Sequence, residues 1–241
     1  MSVAITQCDT AMLLAAGLGT RMRPLTDERP KPLVEVDGKP LIDHGLERLR
    51  AAGVKKAVVN VHYLADMLEA HLAKVTTPEI IISDERAELL ETGGGLAKAL
   101  PELGDKPFLV VNTDSVWVES VTPALTRLME RWKDDAMDCQ LLVCPTVSSL
   151  GYNGTGDFNL LPDGRLERRI EREVAPFVFT GAYMMHPRLF KNAPEGKFSM
   201  NVLFDKAIKE GRLHGVRHDG QWLEINTPQS VDVASATLRD L

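Results

Sequence analysis

The chain is poor in several features that would narrow its class at once. It has only three cysteines, Cys8, Cys139 and Cys144, and no C-x-x-C pair among them. A reduced, cytoplasmic chain is the simplest account of an odd and sparse set. No apolar run is long enough to cross a bilayer. The opening residues MSVAITQCDT lack the basic stretch and apolar core of a signal peptide. Excess positive charge is also missing. A formal net charge of −6 argues against nucleic acid or an anionic membrane surface as a partner. The six histidines show no H-E-x-x-H or other metal-ligand spacing. No Ser/His/Asp or Cys/His nucleophile arrangement stands out, and there is no internal repeat or low-complexity segment. Nothing in the sequence specifies an oligomeric state.

What is there is enough for a sizeable core: 241 residues, of which 44% are apolar. Apolar runs at Met12–Ala16, Lys56–Val61, Glu79–Ser83 and Phe108–Asn112 read as strands. Helical spacing over Pro40–Ala52 and Ala65–Leu72 falls between them. Such alternation predicts a Rossmann-like, three-layer αβα fold with a mainly parallel central sheet. Helices are also expected over Leu96–Leu100, Pro123–Lys133, Asn201–Glu210 and Pro228–Leu241, and strands over Gln140–Cys144 and Leu213–Arg217. After Pro145 the character changes, with Gly151, Gly154, Gly156 and Asp163-Gly164 punctuating short segments. This pattern suggests antiparallel hairpins. We therefore expect one domain over residues 1–241, with one half at about 10–145 and a smaller antiparallel half at about 146–241.

The most informative stretch is Met12–Pro32, MLLAAGLGTRMRPLTDERPKP. A buried strand breaks at Gly17 and Gly19, where small residues let the backbone approach a ligand. Arg21, Arg23 and Lys31 follow. A loop rich in N–H groups and framed by cations suits a triphosphate. Two common phosphate loops do not fit. A dinucleotide fingerprint needs a third small residue and then a helix. Here the third position is Met22, and Pro24, Pro30 and Pro32 oppose a helix. A Walker loop needs Gly-Lys-Ser/Thr, whereas Lys31 sits in Pro-Lys-Pro. Asp114 lies just past the end of the strand Phe108–Asn112, where parallel sheets gather ligand-binding residues. Its hard carboxylate oxygens suit magnesium.

The run Leu14–Thr26, followed by Pro30-Lys31-Pro32, resembles the signature of the sugar-1-phosphate nucleotidyltransferases, LAAGxGxRMxPLT and then PKP. These enzymes join a nucleoside triphosphate to a sugar 1-phosphate and release pyrophosphate. The resemblance implies nucleotide contacts at Leu14, Ala15, Ala16, Gly17, Gly19, Thr20, Arg21 and Asn112, with Arg21, Lys31 and Asp114 as catalytic residues. Leu90-Glu91-Thr92-Gly93-Gly94-Gly95 resembles the segment beside the nucleotide base. Thr92 and Gly93 would be contacts there, Arg86 a weaker candidate, and the glycines would precede a helix. The ETGGG form occurs in the short branch that includes N-acetylmuramate-1-phosphate uridylyltransferases. UTP and N-acetylmuramate 1-phosphate are therefore the favoured substrates, with mannose- or heptose-1-phosphate guanylyl transfer as the alternative.

The family's Gly-Asp appears here as Thr113-Asp114. Its late W-x-D-x-G-T-P motif appears as Trp222-Leu223-Glu224-Ile225-Asn226-Thr227-Pro228. The resemblance implies a magnesium ion held by Asp114 and either Glu224 or Asn226. That altered motif also leaves open a catalytically weak, nucleotide-binding regulatory subunit. Gly156, Glu171, Thr180 and Gly181 stand where the family often places sugar contacts, and hairpin chemistry would explain them equally well.

Overall fold

A computed structural model describes residues 6–240. Residues 1–5, where the leader motif was sought, and Leu241, the expected last residue of the final helix, lie outside the described residues.

In chain order the elements begin with β1 (Thr10–Leu14), the short pair β2 (Glu35–Val36) and β3 (Lys39–Pro40), α1 (Leu41–Ala51) and β4 (Lys56–Val61). Next come α2 (Ala65–Leu72), β5 (Glu79–Asp84), α3 (Glu91–Leu103), β6 (Phe108–Asn112), β7 (Ser115–Trp117), α4 (Ala124–Arg131) and β8 (Cys139–Pro145). The chain continues through β9 (Ser149–Leu150), β10 (Phe158–Leu160), β11 (Leu166–Arg168) and β12 (Phe177–Met185). It ends with α5 (Asn201–Lys209), β13 (Leu213–Arg217), β14 (Trp222–Glu224) and α6 (Pro228–Arg239).

β1 is central. It pairs in parallel with β4 on one side and β6 on the other, and β5 extends the parallel set beyond β4. The chain thus leaves β1 in one direction and returns on its other side. That reversal opens a crevice at the C-terminal ends of the strands. The long strand β12 runs antiparallel to β6 and β8, and β13 lies parallel to β8. The antiparallel character expected after Pro145 is therefore present: β10, β11 and β12 join the same nine-stranded sheet, while β14 pairs with β7 and β9 in a separate three-stranded one.

Alternation along the strands loads both faces. Leu13, Val59 and Val111 point to the face covered by Ile42, Leu46 and Leu49 of α1 and by Leu125 and Leu128 of α4. Met12, Val58 and Val110 point to the other face, under Leu96 and Leu103 of α3 and Leu203 and Phe204 of α5. With both sides covered, β1 must be a continuous apolar run. A smaller third core joins Met22, Val34 and Val36 to Leu223, Ile225 and Ala234. It seats the loop after β1 against β14 and α6.

The glycine triplet departs from expectation. Gly93, Gly94 and Gly95 lie inside α3, not ahead of it. Each faces a different close neighbour. A Cβ on Gly93 would meet the Phe198 ring, one on Gly94 the Gly196 carbonyl oxygen, and one on Gly95 would lie 2.7 Å from Glu85 Oε1. Three crowded contacts require glycine here.

Helix propensity alone would favour Gly94→Ala by ~1 kcal/mol, but intrusion on a backbone oxygen typically costs ~1–3 kcal/mol. Gly94→Ala should therefore lower the urea midpoint without changing the slope, and a raised midpoint would contradict this packing.

Asp138 supplies a pH test. Its carboxylate accepts from Arg188 Nε at 2.6 Å and lies 3.0 Å from Arg212. Burial alone would raise its pKa, but the two guanidiniums outweigh burial and hold it below the ordinary range. A depressed folded value contributes stability that is present above the unfolded pKa of about 3.9 and is lost as pH falls through the folded one. Asp138→Asn should lose ~1–3 kcal/mol at neutral pH. Its stability deficit against wild type should begin to shrink only as pH falls below about 4 and should vanish once pH is below the depressed folded pKa.

Candidate active site

The loop after β1 turns back across the crevice in two tight steps. Gly19, at φ +62°, opens a 3-10 turn over Thr20–Met22. A Cβ on Gly19 would fall 2.9 Å from Lys31 Cβ and 3.0 Å from Thr26, so glycine lets the loop close over the lysine stem. Thr26 Oγ1 donates to the Gly19 carbonyl at 2.8 Å and fixes the turn. Pro30 then caps a second turn, Lys31–Leu33. Neither step is an ordinary helix, as the prolines dictate.

A cavity of about 530 Å³ lies at the strand ends. Of the residues expected to bind nucleotide, Leu14, Ala15, Ala16, Gly17, Gly19, Thr20, Arg21, Thr92 and Asn112 line it. Lys31, Asp114 and Asn226 line it as well. Arg23 does not. It is exposed and pairs with Asp27, so two cations rather than three frame the loop. Arg86 lies on the surface, bonded to Asp66, Glu69 and Asp84. Gly93 is absent from the lining, and its N–H donates to the Phe198 carbonyl at 2.9 Å.

Lys31 is the electrostatic centre. Its side chain is only 12% exposed, and Nζ lies 3.6 Å from Asp114 Oδ2. Nζ donates to Asn226 Oδ1 at 2.8 Å. Burial lowers the lysine pKa, the Asp114 carboxylate opposes that shift, and Arg21 adds to it. Glu224 is off the cavity lining but coupled to the cluster. Burial and the charge on Asp114 both raise its pKa.

The expected sugar contacts fall outside this cavity. Thr180 sits at an irregularity in β12, its hydroxyl donating to the Leu142 carbonyl at 2.9 Å. Gly181, at φ +84°, backs onto Asn112. Gly156, at φ +77°, packs against Ala175, and its N–H donates to the Tyr152 hydroxyl. Glu171 is exposed on a turn. Thr180, Gly181 and Gly156 thus each have a local structural role.

Sequence reasoning missed Asn60 and Ser199, which also line the cavity. Asn60 is the penultimate residue of β4, next to β1, and a polar residue there was a usable signal. Its Oδ1 accepts from the Ala15 N–H at 2.7 Å, and its Nδ2 donates to Glu85 at 2.8 Å. The other Glu85 oxygen accepts from the Leu90 N–H at 3.1 Å. Glu85 is 1% exposed and ties the loop to the wall that carries Thr92.

Residues 10–240 match the family described as nucleotidyl transferase. The chain belongs to that family. It is 47% identical, over 95% of its length and 97% of the relative's, to the N-acetylmuramate alpha-1-phosphate uridylyltransferase of Caulobacter vibrioides. The protein of the same description from Neisseria meningitidis is 36% identical over 90% of this chain and 93% of its own. Among solved structures, the inositol-1-phosphate CTP transferase from T. maritima superposes with a TM-score of 0.77, covering 96% of this chain and 97% of that one. At 20% identity it supports the nucleotidyl transferase fold alone. No helix among the described residues is long and apolar enough to cross a membrane.

Among the described residues no three His, Cys, Asp or Glu side chains form a metal-binding cluster. Magnesium does not require one, because it commonly takes one or two carboxylates and completes its shell from substrate phosphates and water. Asp114 and Glu224 fit that pattern. Burial and the Asp114 charge both disfavour the charge on Glu224, and a divalent cation would relieve that. Asn226 fits less well, since its oxygen is already taken by Lys31. Glu224→Gln should raise the magnesium concentration for half-maximal turnover about tenfold or more. An unchanged magnesium titration would remove Glu224 from the metal site.

Proposed function

We propose that this nucleotidyl transferase moves the uridylyl group of UTP onto N-acetylmuramate 1-phosphate, giving a nucleotide-sugar and pyrophosphate in the cytoplasm. The chemistry rests on one observation above all: a largely buried ammonium stands 3.6 Å from a carboxylate, both lining the cavity beside the Gly17–Thr20 loop. The choice of substrates rests on likeness to the Caulobacter uridylyltransferase, which covers nearly the whole of both chains. Within one domain, residues 10–145 would hold the nucleotide and residues 146–241 the sugar.

In this mechanism a sugar phosphate oxygen attacks the α-phosphorus in line, and the bond to pyrophosphate breaks. The attacking phosphate is already a nucleophile, so no covalent enzyme intermediate is needed. The chain must bring two anions together and neutralise charge that builds on the α-phosphoryl group. Arg21 and the N–H groups of the Gly17–Thr20 loop hold the β and γ phosphates. Lys31 spans the α-phosphate and the sugar phosphate. Asn112 and Thr92 face the nucleoside. Asp114 and Glu224 would hold magnesium, which when bound offsets negative charge on the phosphate oxygens. Gly156, Glu171, Thr180 and Gly181 shape the sugar end, the first, third and fourth of them through backbone geometry.

Losing one preorganised cation or donor of this kind typically removes ~3–4 kcal/mol of transition-state stabilisation. Lys31→Ala should therefore melt like wild type but release pyrophosphate about 100- to 1,000-fold more slowly. Near-normal release would refute its role. A pyrophosphate-release screen of UTP, GTP, CTP and dTTP against N-acetylmuramate, mannose, heptose and glucose 1-phosphates should show the highest kcat/KM for UTP with the muramate. Turnover with GTP alone would overturn the uridylyl assignment.

A further inference from the structure

Asn226 stands where the family motif has glycine, and its neutral amide oxygen reaches Lys31 Nζ. Its position is fixed from three directions. The Ile225 N–H donates to the Asp114 carbonyl at 2.9 Å, which sets the register of Asn226 against Asp114. The Asn226 N–H donates to Ser230 Oγ at 3.0 Å, and Thr227 and Ser230 form a reciprocal cap at the start of α6. Asn226 itself is 6% exposed. The amide oxygen therefore meets the lysine from a rigid mount.

Two distances decide what this does. Nζ is 2.8 Å from Asn226 Oδ1 and 3.6 Å from Asp114 Oδ2. The first is a direct hydrogen bond. The second is beyond hydrogen-bond contact, although an ammonium and a carboxylate would otherwise close to about 2.7–2.9 Å. An amide oxygen satisfies the ammonium without cancelling its charge. On the reading that Lys31 serves phosphate and Asp114 serves magnesium, closing this loose 3.6 Å pair to direct contact would disable both.

We propose that Asn226 is a positioning residue, not a metal ligand: it holds Lys31 off Asp114 so that the ammonium stays available to phosphate and the carboxylate to a divalent cation.

The test uses Asn226→Ala, Lys31→Met and the double variant, with Mn²⁺ as the probe and its free concentration followed by electron paramagnetic resonance. In Asn226→Ala the ammonium should fall onto Asp114 and weaken Mn²⁺ binding about tenfold, in keeping with the loss of a group that orients a ligand. In the double variant there is no ammonium to fall, and affinity should return to within about twofold of Lys31→Met. A merely structural effect of Asn226→Ala would persist in the double variant, and that result overturns the proposal. So does wild-type Mn²⁺ affinity in Asn226→Ala.

A crystal structure of Asn226→Ala reads the separation without any metal. Direct contact between Nζ and Asp114 supports the proposal, and an Nζ still held apart sinks it. This readout decides the matter even if wild type binds no Mn²⁺, a result that would count against the metal site instead. Thermal melts check folding. Asn226→Ser, which retains a shorter acceptor, should show the same direction with a smaller loss if the alanine variant does not fold, and no loss overturns the proposal.

Discussion

A buried ammonium is expensive, and the site is arranged around keeping one charged. Burial disfavours the charge on Lys31, while Asp114 and a neutral amide oxygen support it. A closer carboxylate would stabilise the lysine better and leave it less useful, because a fully paired cation has little left to offer a phosphate. The balance therefore favours support that is strong enough to hold the proton and weak enough to yield to substrate. In the low-dielectric interior such small differences of distance carry large electrostatic consequences.

That balance depends on a piece of the fold that no single motif contains. Lys31 comes from the loop after β1, Asp114 from the segment between β6 and β7, and Asn226 from the start of α6. The small core of Met22, Val34, Val116, Leu223 and Ile225 clamps these segments together. The backbone bond from Ile225 to Asp114 then sets the register between two of them. The C-terminal helix is thus part of the nucleotide half's chemistry, although the chain reaches it last.

Much of this was legible in the sequence, and the limits have physical causes. The central strand was plain because β1 is covered on both faces and must be apolar throughout. That Arg21, Lys31 and Asp114 share one cavity was legible because cations and a carboxylate near strand ends have few structural excuses. Glycine was the least reliable guide. Gly93–Gly95 read as a ligand loop, yet each relieves a contact with a segment distant in sequence, and such contacts leave no local trace. Thr180, Gly181 and Gly156 are ambiguous for the same reason, since a β-irregularity and positive-φ glycines need those residues whether or not a sugar lies nearby. Asn60 had a usable signal in its place near a strand end, but its pairing with Glu85 left none, because an amide and a carboxylate that bond to each other follow no spacing rule.

The Glu85 network explains why the Leu89–Thr92 side of the cavity has polar groups beneath it. Apolar side chains of the same volume would fill the space under the Leu89–Thr92 wall at lower cost, since burying a carboxylate carries a desolvation penalty of several kcal/mol, to order of magnitude. Apolar packing, however, tolerates sliding, whereas hydrogen bonds have direction. Both Glu85 oxygens and both ends of the Asn60 amide are satisfied, so the arrangement accepts one register of wall against loop. The start of α3 lies at the same spot, where its N-terminal dipole favours an anion. The carboxylate and the glycine-lined helix end therefore explain each other: the helix approaches closely enough to stabilise the charge only because Gly95 has no side chain to hold it away.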